Sequence, residues 1–215
     1  MHQIHPAEPN RECALCPRLV AFREENKSIY PEFFNGAVES FGPIEAPFLI
    51  IGLAPGLKGA NKTGRPFTGD FSGELLFKSL HKMGWTNDNN QNHADDGFEL
   101  TNCRVTNAVC CVPPQNKPTA SEVNNCRPFL LARLELMKNL KVLMALGRIA
   151  HDTTLRTFGL RLADYKFGHG NVHQLPNGLI LVDSYHVSRY NVNTGVLTEA
   201  MFMAALKTVE QQLKA

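Results

Sequence analysis

Six cysteines are the first residues of this 215-residue chain whose spacing could do chemistry. Cys13 and Cys16 form a Cys-x2-Cys pair; Cys110, Cys111 and Cys126 lie far downstream, with Cys103 nearby. The N-terminus MHQIHPAEPNREC has no apolar signal core, so reduced thiols are expected rather than structural disulfides. Four thiolates gathered from two distant segments can hold zinc or an iron-sulfur cluster, and spacing leaves both open. Cys110 and Cys111 are adjacent, so on extended backbone they face opposite ways and one of them is expected to be a ligand.

The second set of chemically capable residues sits in loops that follow short apolar runs. GLAPGLKGANKTGRPFTGD, residues 52–70, carries five glycines. Gly59 and Gly64 have the separation of a phosphate-binding G-x-x-x-x-G-K-[ST] loop, but Arg65 and Pro66 stand where lysine and a hydroxyl belong. The dinucleotide pattern G-x-G-x-x-G is missing too, which disfavours a nucleotide hydrolase. Asp70, just before Ser72 and an amphipathic segment, reads either as a helix N-cap or as a catalytic carboxylate, and Ser72 could cap instead. Phe67 in the same loop either plugs the core or offers its face to a flat ligand. Asn107 can donate and accept side by side, matching the edge of an amide-like ring, or can bond nearby backbone. His186 is followed by Ser188, Arg189, Asn191 and Asn193, small polar and cationic residues suited to phosphate contacts. His151, His169 and His173 lack metal-like spacing and are read as structural. No Ser-His-Asp order and no paired carboxylates for glycoside chemistry are evident.

The elements that must position these residues are legible in outline. Apolar runs at 47–52, 103–109, 141–147 and 179–185 predict strands; helices are expected at 72–83, 121–139, 148–158 and 198–213. Strands alternating with helices predict a parallel sheet covered on both faces, with a ligand site beyond the carboxyl ends of the strands. LPNGLI predicts a short hairpin into the last strand. The polar run TNDNNQNHADDG, 86–97, reads as a flexible surface loop. A chain this long, 43% hydrophobic, suffices for one sizeable core, so one domain over 1–215 with an N-terminal cysteine segment is expected. No apolar run approaches the roughly 20 residues of a spanning helix, which predicts a soluble cytoplasmic protein with no membrane partner. The net charge of +2 permits a polyanionic partner without demanding one.

Together the first loop, the cysteines and the last loop resemble the iron-sulfur uracil-DNA glycosylases. GLAPG with NKTGRPFTGDFSG resembles their first motif, TNAVCCVPPQNKPT with Cys126 their cluster segment, and HVSRYNVNTGVLT their last motif. Gly52-Leu53-Ala54-Pro55-Gly56, lacking a polar residue, and the continuation to Asn191 and Thr194-Gly195 resemble family five, the double-strand uracil-DNA glycosylase B group. The resemblance implies a three-layer α/β/α fold around a mostly parallel four-stranded sheet. It implies a monofunctional enzyme that removes uracil, and also hypoxanthine or xanthine, from double-stranded DNA in a bacterial or archaeal cytoplasm, associated with the nucleoid, working as a monomer. It implies a 4Fe-4S cluster on Cys13, Cys16, Cys111 and Cys126, with zinc the competing cofactor and Cys103 and Cys110 outside the ligand set. Phe67 would stack on the base, Asn107 would read its edge, and Gly52, Leu53 and Ala54 would close the pocket. His186 would stabilise the departing base, and Asp70 would position water because Ala54 cannot. Ser188, Arg189 and Asn191 would meet DNA. Val187 departs from the family's proline and is expected to free the backbone of that loop. The rival expectation is a zinc-stabilised nucleic-acid-binding protein without catalysis.

Overall fold

The computed structural model describes residues 7–87 and 92–215. In chain order the elements are α1 (Pro17–Ile29), β1 (Phe48–Gly52), α2 (Ala60–Thr63), α3 (Phe71–Lys82), β2 (Cys103–Asn107), α4 (Ala120–Leu136), β3 (Val142–Leu146), α5 (Arg148–Thr157), β4 (Val172–Gln174), β5 (Ile180–Ser184), α6 (Arg189–Asn193) and α7 (Glu199–Lys214). The five strands are ordered β2-β1-β3-β5-β4. The first four in that order run parallel, and β4 pairs antiparallel with β5 at the edge.

The central strands are apolar throughout because both their faces are covered. Phe48 and Ile50 of β1 join Leu76 and Leu80 of α3 and Phe202, Leu206 and Val209 of α7 in one core. Leu49 and Ile51, one residue out of phase, join Leu130 and Leu134 of α4 and Leu155 of α5 in the other. That alternation along one strand gives the three layers expected. The sheet has five strands, not four: the predicted hairpin forms, and its entering arm is β4. With two of its three residues exposed, β4 carries no apolar run that would mark it as a strand.

Two further departures have physical causes. Helix α1 is absent from the sequence expectations because its buried side of Leu19, Arg23 and Asn26 is mostly polar and shows no apolar stripe. Of the polar run 86–97, residues 88–91 lie outside the described residues, while its end is tied down. Asp96 is buried and receives two hydrogen bonds from Arg65, 2.7 and 2.9 Å, and Asn92 accepts from the Gly69 amide at 2.7 Å. Arg65 therefore occupies the lysine position of a phosphate loop as a buried structural ion pair, its guanidinium lying over Phe41 and Phe98. Among the described residues no helix is long and apolar enough to cross a membrane.

Candidate functional site

A cavity of about 290 Å³ opens where the loops leave the carboxyl ends of β1, β2 and β5. Its walls include Leu53, Ala54, Phe67, Asp70, Asn107 and His186. A comparable cavity, about 330 Å³, lies beside α3 around Glu74, Lys78 and His81, and it gathers none of these residues. The floor of the first cavity depends on Gly52. A Cβ there would stand 2.5 Å from both Asn107 Oδ1 and Phe67 Cζ, so only glycine lets the ring and the amide meet over the strand end. Phe67 has φ 53°, a conformation rare for a bulky residue, and is buried. The Ala108 and Val109 amides donate to the Gly52 and Leu53 carbonyls at 2.9 Å each, fixing residues 52–54 against the end of β2. No hydrogen bond to the described residues engages the Asn107 side-chain amide, which leaves it open to a ligand.

Asp70 is the N-cap of α3, and its two oxygens face different ways. Its Oδ1 accepts from the Gly73 amide at 3.1 Å. Its Oδ2 lies over the glycine loop, where a Cβ on Gly59 would come within 2.2 Å and one on Gly56 within 3.0 Å. One oxygen holds the helix while the other faces the loop that walls the cavity. Burial pushes the carboxyl up from its ordinary 3.8, against the Gly73 and Ser72 amides and the charge of Arg189. Burial likewise pushes the His186 imidazole below its ordinary 6.5, so the ring is neutral at neutral pH.

The loop after β5 is held from within. Ser188 caps α6 by accepting from the Asn191 amide at 3.3 Å, and Asn191 Nδ2 donates to the His186 carbonyl at 2.8 Å. Arg189 is exposed, its guanidinium 5.4 Å from the Phe71 ring centroid. Val187 is wholly buried, in the same core as Leu197 and Phe202. The residue expected to free this loop instead pins it to the core, because its aliphatic side chain points inward.

Cys16, Cys110, Cys111 and Cys126 share one buried cluster, with Cys13 and Ala54 packed against it. Cys103 lies elsewhere, inside β2. The Cys110 sulfur accepts from Arg133 Nη2 at 2.9 Å and is hydrogen-bonded to Cys126, so the structure does not set it apart from the cysteines expected as ligands. Burial, with Cys110, Cys13 and Cys16 nearby, pushes the Cys111 thiol up to about 12. Such a thiol ionises only beside a positive centre. Four thiols gathered from two distant segments form a donor set that suits zinc or an iron-sulfur cluster. Among the described residues, His151, His173 and Asp183 form a group whose ligand atoms lie within 4.8 Å of one another.

His151, His173 and Asp183 could hold a metal ion. They are also mutually bonded. His151 Nδ1 lies 2.7 Å from Asp183 Oδ1 and its Nε2 lies 2.9 Å from the Tyr165 carbonyl, while His173 Nε2 lies 3.0 Å from Asp183 Oδ2. Burial pulls the His151 pKa down, but the hydrogen bond and charge of Asp183 and the Tyr165 carbonyl more than offset it and leave it raised. Both ring nitrogens face acceptors, as an imidazolium requires.

A model described as the uracil DNA glycosylase superfamily matches residues 39–210. A type-5 uracil-DNA glycosylase of Thermus thermophilus is 45% identical over 199 residues, covering 90% of each chain. The chain belongs to the type-5 uracil-DNA glycosylase family. Relatives carrying the same description are 40% identical in Pyrobaculum aerophilum, over 86% of this chain and 82% of that one, and 40% identical in Mycobacterium leprae, over 88% and 86%. Membership leaves the reading as a zinc-stabilised binding protein without catalysis unsupported.

In this type-5 glycosylase the loops bring Asp70, Asn107, Phe67 and His186 to one cavity, as the sequence suggested. Several lining residues escaped it, Ala60 and Asn116 among them. Asn116, with φ 55°, sits in a short turn after Pro113-Pro114 and adds a second amide to the cavity wall. An Asn at positive φ in a proline-led turn reads as turn chemistry, which hid it.

Proposed function

We propose that this chain hydrolyses the N-glycosidic bond of uracil in double-stranded DNA, as a monofunctional glycosylase that initiates base excision repair. The observation carrying this is the single cavity that joins Phe67, Asn107, Asp70 and His186. A base within a duplex is out of reach, so the nucleotide is flipped into the cavity at about a few kcal/mol, less when mispaired. The Phe67 ring stacks on the base, the open Asn107 amide reads its edge, and the backbone of Gly52, Leu53 and Ala54 closes the remaining side. As the bond breaks, the base gains negative charge and the sugar becomes oxocarbenium-like. Neutral His186 donates to the anionic base oxygen, and Asp70 Oδ2 orients the attacking water. Exposed Arg189 meets the phosphates, while Ser188 and Asn191 keep its loop in shape. Hypoxanthine and xanthine present comparable amide edges and are proposed as further substrates.

Labelled duplexes carrying uracil, hypoxanthine or xanthine, treated with the protein and then with alkali, test this. Strand scission at uracil is expected, and intact strands on all three duplexes would overturn the proposal. Gly52→Ala supplies a second test. The added methyl group fills the space between Phe67 and Asn107, so uracil release should fall by about tenfold or more, with overpacking costing about 1–3 kcal/mol of stability. A wild-type rate would show that the cavity floor is not the base site.

Cys13, Cys16, Cys111 and Cys126 would hold a 4Fe-4S cluster. When bound it supplies no redox step, since base release needs none, and it ties the N-terminal segment to the loop beyond β2. Anaerobically purified protein should be brown with about four irons per chain, as expected for that cluster type. Colourless protein with stoichiometric zinc would defeat the assignment.

A further inference from the structure

Arg133 is almost fully buried, on the same helix as Cys126 and seven residues beyond it, so both lie on one face of α4. A guanidinium has five N–H donors in a fixed fork. Here the fork reaches three separate segments. Nε and Nη2 approach Glu8 Oε2 at 3.1 and 3.0 Å. Nη1 donates to Thr106 Oγ1 at 3.1 Å and toward the Asn107 carbonyl at 3.4 Å. Nη2 donates to Cys110 Sγ at 2.9 Å. The Ser40 hydroxyl completes the grip by donating to Thr106 Oγ1 at 2.9 Å.

We infer that Arg133 is a positioning residue for catalysis, fixing the Asn107 backbone from beneath so that its free side-chain amide meets the flipped base. This rests on the glycosylase function proposed above. Asn107 is the last residue of β2, and beyond it the chain turns toward the cysteines. Two constraints on its placement come from the sheet side, the Ala108 and Val109 amide bonds to Gly52 and Leu53. Arg133 supplies those on the opposite side, from α4. A buried ion pair such as Arg133–Glu8 adds little net stability over apolar side chains of equal volume. What it adds is directional: one planar group ties the last two residues of β2, Thr106 and Asn107, to Glu8 and to the Cys110 sulfur. Because α4 also carries Cys126, the same helix links the cysteine centre to the base-reading amide.

The test uses full-length protein with its metal centre intact and separates the rate of uracil release at saturating enzyme from the enzyme concentration giving half that rate. The double variant Glu8→Gln with Arg133→Met removes the fork and leaves an amide oxygen at position 8 that can still accept from Arg104, now 3.4 Å from Glu8 Oε1. Thr106→Val, the milder second variant, removes one acceptor and leaves the ion pair. Displacement of a reacting or recognising group by less than an ångström can cost on the order of 10–100-fold. The double variant should therefore lose about tenfold or more in the saturating rate, and Thr106→Val about two- to fivefold. Half-saturation and the iron-to-protein ratio should hold in both, and Asn107→Ala on top of either should add less than it does alone. Wild-type saturating rates in Thr106→Val and the double variant, or losses that add fully to Asn107→Ala, would overturn the inference. So would losses in step with lost iron or a fallen melting temperature. A wild-type protein inactive on every duplex would instead overturn the glycosylase function itself.

Discussion

Asp70→Asn should lower single-turnover uracil release by about 10²–10³-fold, in the range of lost acid-base assistance, while leaving the fold intact. The cap and the proposed catalytic role of this residue use different oxygens. Oδ1 caps α3 through the Gly73 amide, and an Asn carbonyl oxygen caps about as well. Oδ2 faces the glycine loop, where an Asn would present an amide that cannot take a proton from water. Asp70→Ala removes both functions, so it should lose the same activity and, in addition, about 1 kcal/mol of stability. Full activity in Asp70→Asn would reduce the residue to a cap. Rate and stability should depend on pH in opposite directions. The folded pKa is raised above 3.8 chiefly by burial, so the ionised, active form accumulates as pH rises and the acid limb of the rate lies above that value. For stability, a raised carboxyl pKa favours the protonated fold below the unfolded value and loses that contribution as pH rises through the folded one. Ionised Asp70 is thus held against a stability gradient, and Asp70→Asn should melt at neutral pH no lower than wild type. Arg189 opposes the rise, so Arg189→Ala should move the acid limb to higher pH. An unmoved limb would sever Arg189 from Asp70.

How much of this was legible in the sequence depended on whether a residue's job shows in its own chemistry. The parallel strands were plain because a strand buried on both faces must be apolar, as FLII of β1 and VLMAL of β3 are. The ends of those strands then located Asn107 and His186. Helix α1 was not legible: its inward side carries Arg23, which donates to the Cys13 carbonyl at 3.0 Å, and Asn26, which donates to the Phe22 carbonyl at 2.7 Å. Its packing is polar and local, without a hydrophobic period. Arg65 could be recognised only as a missing lysine. Its partner, Asp96, lies inside a stretch whose composition signals a loop, and a bond across 31 residues leaves no trace in spacing. Asn116 was masked by its turn. Cap and catalytic carboxylate were visible for Asp70 as two alternatives, and only the placement of its oxygens, one on the Gly73 amide and one over the glycine loop, leaves room for both.

His186→Ala should cost about 10²–10³-fold in uracil release, the usual loss when a donor to a developing oxyanion is removed. The ring is poised for that work by two features. Its backbone is fixed, since its carbonyl accepts from Asn191 Nδ2 and the next residue, Val187, is wholly buried. Its pKa is lowered by burial from 6.5, so across neutral pH it is a neutral donor. A neutral donor has a consequence that an imidazolium would not: the His186-dependent rate should stay level between about pH 7 and pH 8, the range in which an unshifted histidine is already mostly neutral. A rate that falls steadily over this range would mean that the protonated ring is the active form. The size of the His186 effect should also track the charge it stabilises. 5-Fluorouracil leaves as a weaker base than uracil, with less charge needing support on its oxygen, so the loss in His186→Ala should shrink for duplexes carrying it. An equal loss on both bases would place His186 in binding rather than in departure of the base, because uniform binding supports ground state and transition state alike.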